Sequence, residues 1–172
     1  IIDIELNNVN GGSFSVTVAK KESLYRESSP AIEKILNGEQ EAGFDGLKPF
    51  EKFRDNIYKH REMLIDFVKN IHLEKRSLLG YGASTKGNVI LQFCNFTEKE
   101  IPFIAEVNRD KFGRYTPGTC IPIISEEEAR RMKPDYFMVL PWHFKENLLI
   151  RERDYLVSGG KMVFPLPSLE IV

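Results

Sequence analysis

Three glycines, a serine, a threonine and a lysine fall within the nine residues Gly80–Asn88, "GYGASTKGN". Those residue types suit the gripping of a phosphate. Glycines lack a Cβ and let an anion approach the backbone. Amides at a helix start point outward unsatisfied, with the positive end of the helix dipole behind them. Lys86 adds a mobile point charge. The named nucleotide motifs are not met, however. A P-loop requires Gly-Lys-Ser/Thr after four spacers, whereas Lys86 precedes Gly87 and Asn88 follows it. The dinucleotide fingerprint G-x-G-x-x-G fails at Thr85. On spacing, a phosphate or nucleotide ligand and a purely structural tight turn both stay open. Glu106 ends the following apolar run, where an acid that binds a ribose would sit.

Other chemistry is sparse. His60, His72 and His143 are scattered without metal-ligand spacing, and His60 and His72 read as solvated on a polar helix face. No G-x-S-x-G elbow occurs, and Cys94 reads as core rather than nucleophile. Glu126, Glu127 and Glu128 read as helix-start charges. No residue stands out as a catalyst or a metal ligand, so the chain reads as a binder.

The elements that must position these residues follow from periodicity. From residue 76 onward the pattern is one of strands apolar on both faces: "RSLLGYG", "IPFIAEV", the short "CIPII", "DYFMVLPW" and "KMVFPLP". Between them lie helical stretches: Ser84 to Cys94, "SEEEARRM" with Ser125 and Glu128 at capping-box spacing, and "HFKENLLIRERDYL". Strands of this kind alternating with helices predict a parallel sheet covered on both faces, a Rossmann-like α/β fold. Upstream, Phe50, Phe53, Ile57, Leu64, Phe67 and Ile71 mark one face of a long helix over 47–72 that packs on one sheet face. Ser29 and Pro30 open a short helix as N-cap and first helical residue. At the start, Ile2, Ile4 and Leu6 alternate, as do Phe14, Val16 and Val18, around Asn10-Gly11-Gly12. This predicts a β-hairpin standing apart from the sheet or pairing with another copy.

The bulk numbers set limits. With 172 residues, 24 basic and 25 acidic side chains and a net charge of −1, the chain has ordinary globular composition and no basic stripe for nucleic acid. No apolar run approaches a membrane helix. Two cysteines, Cys94 and Cys120, make no disulfide framework, so a cytoplasmic location is expected. The chain opens "IIDIEL" without a methionine and is expected to be a piece of something longer.

Four segments in order, "YGASTKGNVILQFC", "EVNRDKFGRYTPGTCIPI", "PDYFMVLPWHFKENLL" and "GGKMVFPLP", resemble the carboxyl-terminal domain of sugar-nucleotide C-methyltransferases. That family uses S-adenosylmethionine to methylate a carbon of a nucleotide-activated deoxysugar. The resemblance implies a parent of three parts: a zinc domain, a class I methyltransferase domain, and this Rossmann-like domain. "NNVNGGSFSVTV" resembles the last hairpin of the middle part, with Asn10 where the family's His-Gly-Gly-Ser motif has histidine. The implied division is therefore 1–20 as that terminal hairpin, 21–45 as linker and short helix, and 46–172 as the Rossmann-like domain.

The resemblance also implies roles. S-adenosylmethionine and zinc belong to the missing upstream domains, no cofactor is expected in this chain, and the chain alone is expected to be inactive. Its partner is a nucleotide-activated sugar, beside the upstream methyltransferase domain and, as an open case, a second copy. The substrate-binding residues implied are Gly82, Ala83, Ser84, Lys86, Gly87 and Asn88 around the diphosphate, with Glu106, Lys111, Tyr115, Pro117, Gly118, Thr119 and Trp142 lining the same cleft. Trp142 reads equally as a core anchor. His143 stands where the family often has Asn and receives no catalytic role. The rival readings are a noncatalytic nucleotide- or coenzyme A-binding module and a structural or dimerisation domain.

Overall fold

The computed structural model describes residues 1–26 and 29–172, apart from the Ser29 side chain. The expected capping by Ser29 therefore lies outside the described residues. The chain divides into two compact units, Ile1–Ile57 and Tyr58–Val172.

In the first unit, β1 (Asp3–Asn7) pairs antiparallel with β2 (Ser13–Thr17), with Glu5 opposite Ser15, in a two-stranded sheet of its own. Asn10, Gly11 and Gly12 supply the positive φ angles of the connection, at 53°, 85° and 123°. Helix α1 (Ser29–Glu41) packs against β1. No described residue of this unit is buried; Leu6, Phe14 and Val18 are among its exposed apolar side chains.

Helix α2 (Lys48–Leu73) matches the expected long helix, but its apolar stripe is covered only in the second half. Leu64, Val68 and Ile71 are buried, whereas Phe50 and Phe53 are 55% and 66% exposed. A stripe in sequence marks a face and says nothing about where its cover ends.

The second unit is built on a six-stranded sheet of order β5-β4-β3-β6-β7-β8. Its strands are β3 (Leu78–Tyr81), β4 (Ile104–Glu106), β5 (Ile123–Ser125), β6 (Tyr136–Val139), β7 (Lys161–Phe164) and β8 (Glu170–Ile171). All pairings are parallel except that of β7 with β8. Successive residues alternate between two core layers. Leu78, Ile104, Tyr136, Met138 and Val163 join Leu64, Val68 and Ile71 of α2 and Ile90 and Leu91 of α3 (Thr85–Phe93). Leu79, Tyr81, Ala105, Phe137, Val139 and Met162 join Ala129 of α4 (Glu126–Arg131) and Leu148 of α5 (Lys145–Arg151). Both faces of the sheet are thus covered, as two-sided apolar strands require.

Three details depart from the sequence reading. The "HFKENLLIRERDYL" stretch is two helices, α5 and α6 (Arg153–Val157), separated at Glu152, whose side chain turns into the core. The antiparallel β8 has no counterpart among the expected strands. His60 is half-buried, with Nε2 on the Pro165 carbonyl, and His72 Nε2 meets the Glu100 carbonyl at 2.9 Å. His60 thus departs from the solvated reading, whereas His72 stays exposed and adds a backbone acceptor.

Candidate functional site

Chain order explains where the site lies. From β3 the chain moves outward to β4 and β5, then returns to place β6 on the other side of β3. The carboxyl ends of β3 and β6 therefore flank the point where the strand order reverses, the usual ligand crevice of an open α/β sheet.

At the end of β3, Gly82 has φ 79° and its amide donates to the Ala105 carbonyl at 2.7 Å. A Cβ here would come within 2.8 Å of the Pro141 ring. Ser84, with extended backbone, caps α3: its Oγ accepts from the Gly87 amide at 3.0 Å, and its carbonyl accepts from the Asn88 amide at 3.1 Å. Gly87 is buried against Leu140, whose Cβ would lie 2.4 Å from an added Cβ. So both glycines let the start of α3 and the end of β6 approach each other. The amide of Thr85 has no acceptor among the described residues. It lies at the helix start, where such amides lack an intrahelical partner, next to the exposed Lys86.

Glu106, at the end of β4, is 6% exposed and accepts four hydrogen bonds. Oε2 takes the Ala83 amide and Lys111 Nζ, both at 3.0 Å, and Oε1 takes the amides of Val107 at 2.8 Å and Asn108 at 3.0 Å. Burial alone would push its carboxyl up, but the bonds from Asn108, Lys111 and Val107 outweigh this and hold it below the ordinary range. Lys111 Nζ also donates to the Ala83 carbonyl at 2.9 Å.

Beyond β6, Trp142 is half-buried and packs against both core layers. His143 follows it, with Nδ1 enclosed and unpartnered among the described residues, as is Oδ1 of Asn88. Desolvation, followed by the positive charge of Lys86, holds the His143 imidazole below its ordinary pKa. Sequence reasoning gives His143 no catalytic role and weighs it evenly as a pocket-lining or a solvated residue, from its place just after a strand that neighbours the glycine turn.

The structure thus gathers Gly82, Ala83, Ser84, Lys86, Gly87, Asn88, Glu106, Lys111 and Trp142 at the carboxyl edge. It does not bring Tyr115, Pro117, Gly118 and Thr119 there. Residues 113–116 run back alongside 121–123, with the Thr116 amide on the Ile121 carbonyl and the Ile123 amide on the Arg114 carbonyl. Ile123 lies level with Ile104 at the opening of β4, so the turn tip projects past the amino end of the sheet. There Gln92, near the end of α3, donates to the Pro117 carbonyl at 2.8 Å and fills the space beside Gly118. The seven-residue step from Thr85 to Gln92 is about 10 Å along the helix axis. The expectation of one shared cleft is corrected accordingly: Pro-Gly announces a turn without saying which sheet edge it faces.

A second polar group lies outside the sequence reading. The Tyr81 hydroxyl donates to Oε1 of Glu152 at 2.7 Å beneath the sheet, and Arg130 reaches Oε2 of Glu152 at 2.7 Å. Arg151 and Arg130 both pair with Glu126. Burial and the Glu152 bond raise the Tyr81 hydroxyl far above its ordinary pKa. Glu126 is thus an ion-pair partner as well as a helix-start charge.

The fold and the helix start at the strand-order reversal define a Rossmann-like α/β domain. More particularly, the chain belongs to the C-methyltransferase C-terminal domain family, whose model matches residues 8–167. Among curated proteins it is 29% identical over 172 residues to the C-methyltransferase NovU of Streptomyces niveus. The match takes in the whole chain and 41% of that relative's length. Among the described residues, no helix is long and apolar enough to cross a membrane.

Proposed function

We propose that this chain is the sugar-nucleotide-handling part of an S-adenosylmethionine-dependent sugar C-methyltransferase and is inactive alone. The observation that carries the reading is the start of α3 at the reversal of strand order, with the Thr85 amide lacking an intrahelical acceptor and Lys86 next in sequence. A diphosphate placed there meets the positive end of the helix and a lysine ammonium. Methylation next to a ketone requires a base for the activated proton and an in-line sulfonium. Neither role has a candidate in this chain, so both are assigned to the upstream part of the parent. Zinc is likewise assigned upstream, as the family resemblance implies. The exposed apolar residues of the first unit fit a hairpin and helix that an upstream domain covers. Two free cysteines fit a cytoplasmic setting.

A second reading has one observation in its favour. Gly82 and Gly87 face Pro141 and Leu140, as they would in a turn that is only a structural corner. Thermal unfolding separates the two. Thymidine or uridine diphosphate sugars stabilise the chain, by roughly 2.7 kcal/mol at about 100 times the dissociation constant, and NAD does little. Lys86→Ala weakens binding by about 1–3 kcal/mol. S-adenosylmethionine gives no saturable heat. Equal ligand-induced shifts in wild type and Lys86→Ala favour the structural corner.

A further inference from the structure

We infer that Glu106 and Lys111 together form a positioning clamp on the glycine turn, holding the Ala83 peptide groups so that the start of α3 faces the ligand. This deepens the sugar-nucleotide reading and rests on it for the ligand, though not for the clamp. A carboxylate offers about four acceptor positions. In Glu106 all four are filled, by Ala83, Lys111, Val107 and Asn108. A ribose or sugar hydroxyl that donated to it would have to displace a backbone amide or the lysine. Lys111 is committed in the same way, with Nζ on Glu106 at 3.0 Å and on the Ala83 carbonyl at 2.9 Å.

The two side chains therefore grip Ala83 on both sides, the carboxylate taking its N–H and the ammonium its C=O. Ala83 lies between Gly82, in the left-handed region, and Ser84, the cap of α3. Three loops meet at this point: the turn after β3, the end of β4, and the short 3-10 turn Arg109–Lys111. The lysine charge is largely spent on the carboxylate, so Lys111 adds little net attraction for an anion. A buried carboxylate close to a diphosphate site ought to repel the ligand. Its removal is expected to weaken binding nonetheless, because the turn loses its shape.

That opposition of signs makes the test. Binding of uridine diphosphate and of inorganic pyrophosphate to the intact chain is measured for wild type, Glu106→Gln, Lys111→Met and the double variant. The clamp predicts at least a tenfold loss in each single variant and no further loss in the double, since both substitutions release the same turn. Tighter binding in Glu106→Gln, or a Lys111 loss that simply adds to that of Glu106, overturns it in favour of plain charge effects. Amide hydrogen exchange gives a readout that needs no ligand. In Lys111→Met, which removes no partner from any of these three amides, Ala83, Val107 and Asn108 exchange at least tenfold faster. Unchanged exchange at all three overturns the clamp even if nucleotides bind. Failure of wild type to bind either probe refutes the sugar-nucleotide reading and leaves the exchange result to decide the clamp. If Glu106→Gln does not fold, Lys111→Met carries both measurements.

Discussion

Gly87 is the sharpest point at which the packing of α3 can be tested. A Cβ added there would lie 2.4 Å from Leu140 Cβ, 3.1 Å from Leu140 Cγ and 2.9 Å from Ser84 Oγ. Carbon atoms in favourable contact sit at about 3.5–4.0 Å, so the overlap with Leu140 Cβ exceeds an ångström. Leu140 Cβ is bonded to the backbone at the end of a central strand and cannot swing away as a side-chain tip could. Overpacking of this kind costs typically about 1–3 kcal/mol. Disturbing the Ser84 cap adds up to about 1 kcal/mol. Against this, alanine is better than glycine within a helix by about 1 kcal/mol. The cap loss and the helix gain roughly offset each other, so Gly87→Ala is expected to destabilise by the overpacking cost, about 1–3 kcal/mol. Gly38→Ala in α1, with nothing within 4 Å of the new methyl, is expected to stabilise its own helix by about 0.4–1 kcal/mol. Urea unfolding followed by circular dichroism measures both. A Gly87→Ala midpoint equal to or above wild type would show that α3 can slide off β6, and would refute the claim that the glycines set their approach.

Asp135 accepts from the amide and the hydroxyl of Ser77, both at 2.8 Å, and these bonds, with the amide first, hold its carboxyl below the ordinary range. A carboxyl lowered in the folded state contributes stability above its unfolded pKa, about 3.9, and loses it as pH falls through the folded value. Wild type should thus lose more stability between about pH 5 and 3 than Asp135→Asn, with urea midpoints across that range as the measure; parallel curves would count against the bonds. Burial pushes the Cys94 thiol up to about 11, while Cys120 is exposed. Titration with a disulfide reagent at neutral pH should give one fast equivalent at Cys120 and a second only on unfolding, and two fast equivalents would contradict the buried position of Cys94.

Much of the architecture was legible because it depends on local pattern. Strands such as Tyr136–Val139, buried on both faces, left no polar alternation, and that alone pointed to a parallel sheet between two helix layers. The Ser125 cap was legible for the same reason, its hydroxyl accepting from an amide three residues on, whereas the like bond of Ser84 was not read from the sequence. What stayed hidden depends on direction and on partners distant in sequence. Whether the 113–123 hairpin carries Pro117–Thr119 to one sheet edge or the other follows from its pairing with β5, not from the Pro-Gly pair. The two residues of β8 are too few for any period to show.

Glu106 illustrates the limit most clearly. A carboxylate at the end of a second parallel strand has the same sequence signature whether it binds a ribose or ties loops together. The difference lies in how many acceptor positions remain, and those are filled by amides at 83, 107 and 108 and a lysine at 111. Three of the four donors are backbone groups, which no residue type announces. The fourth is a lysine that the family resemblance places on the ligand. Its carbonyl and carboxylate contacts turn that charge inward, so a count of basic residues near the turn overstates the unpaired positive charge there.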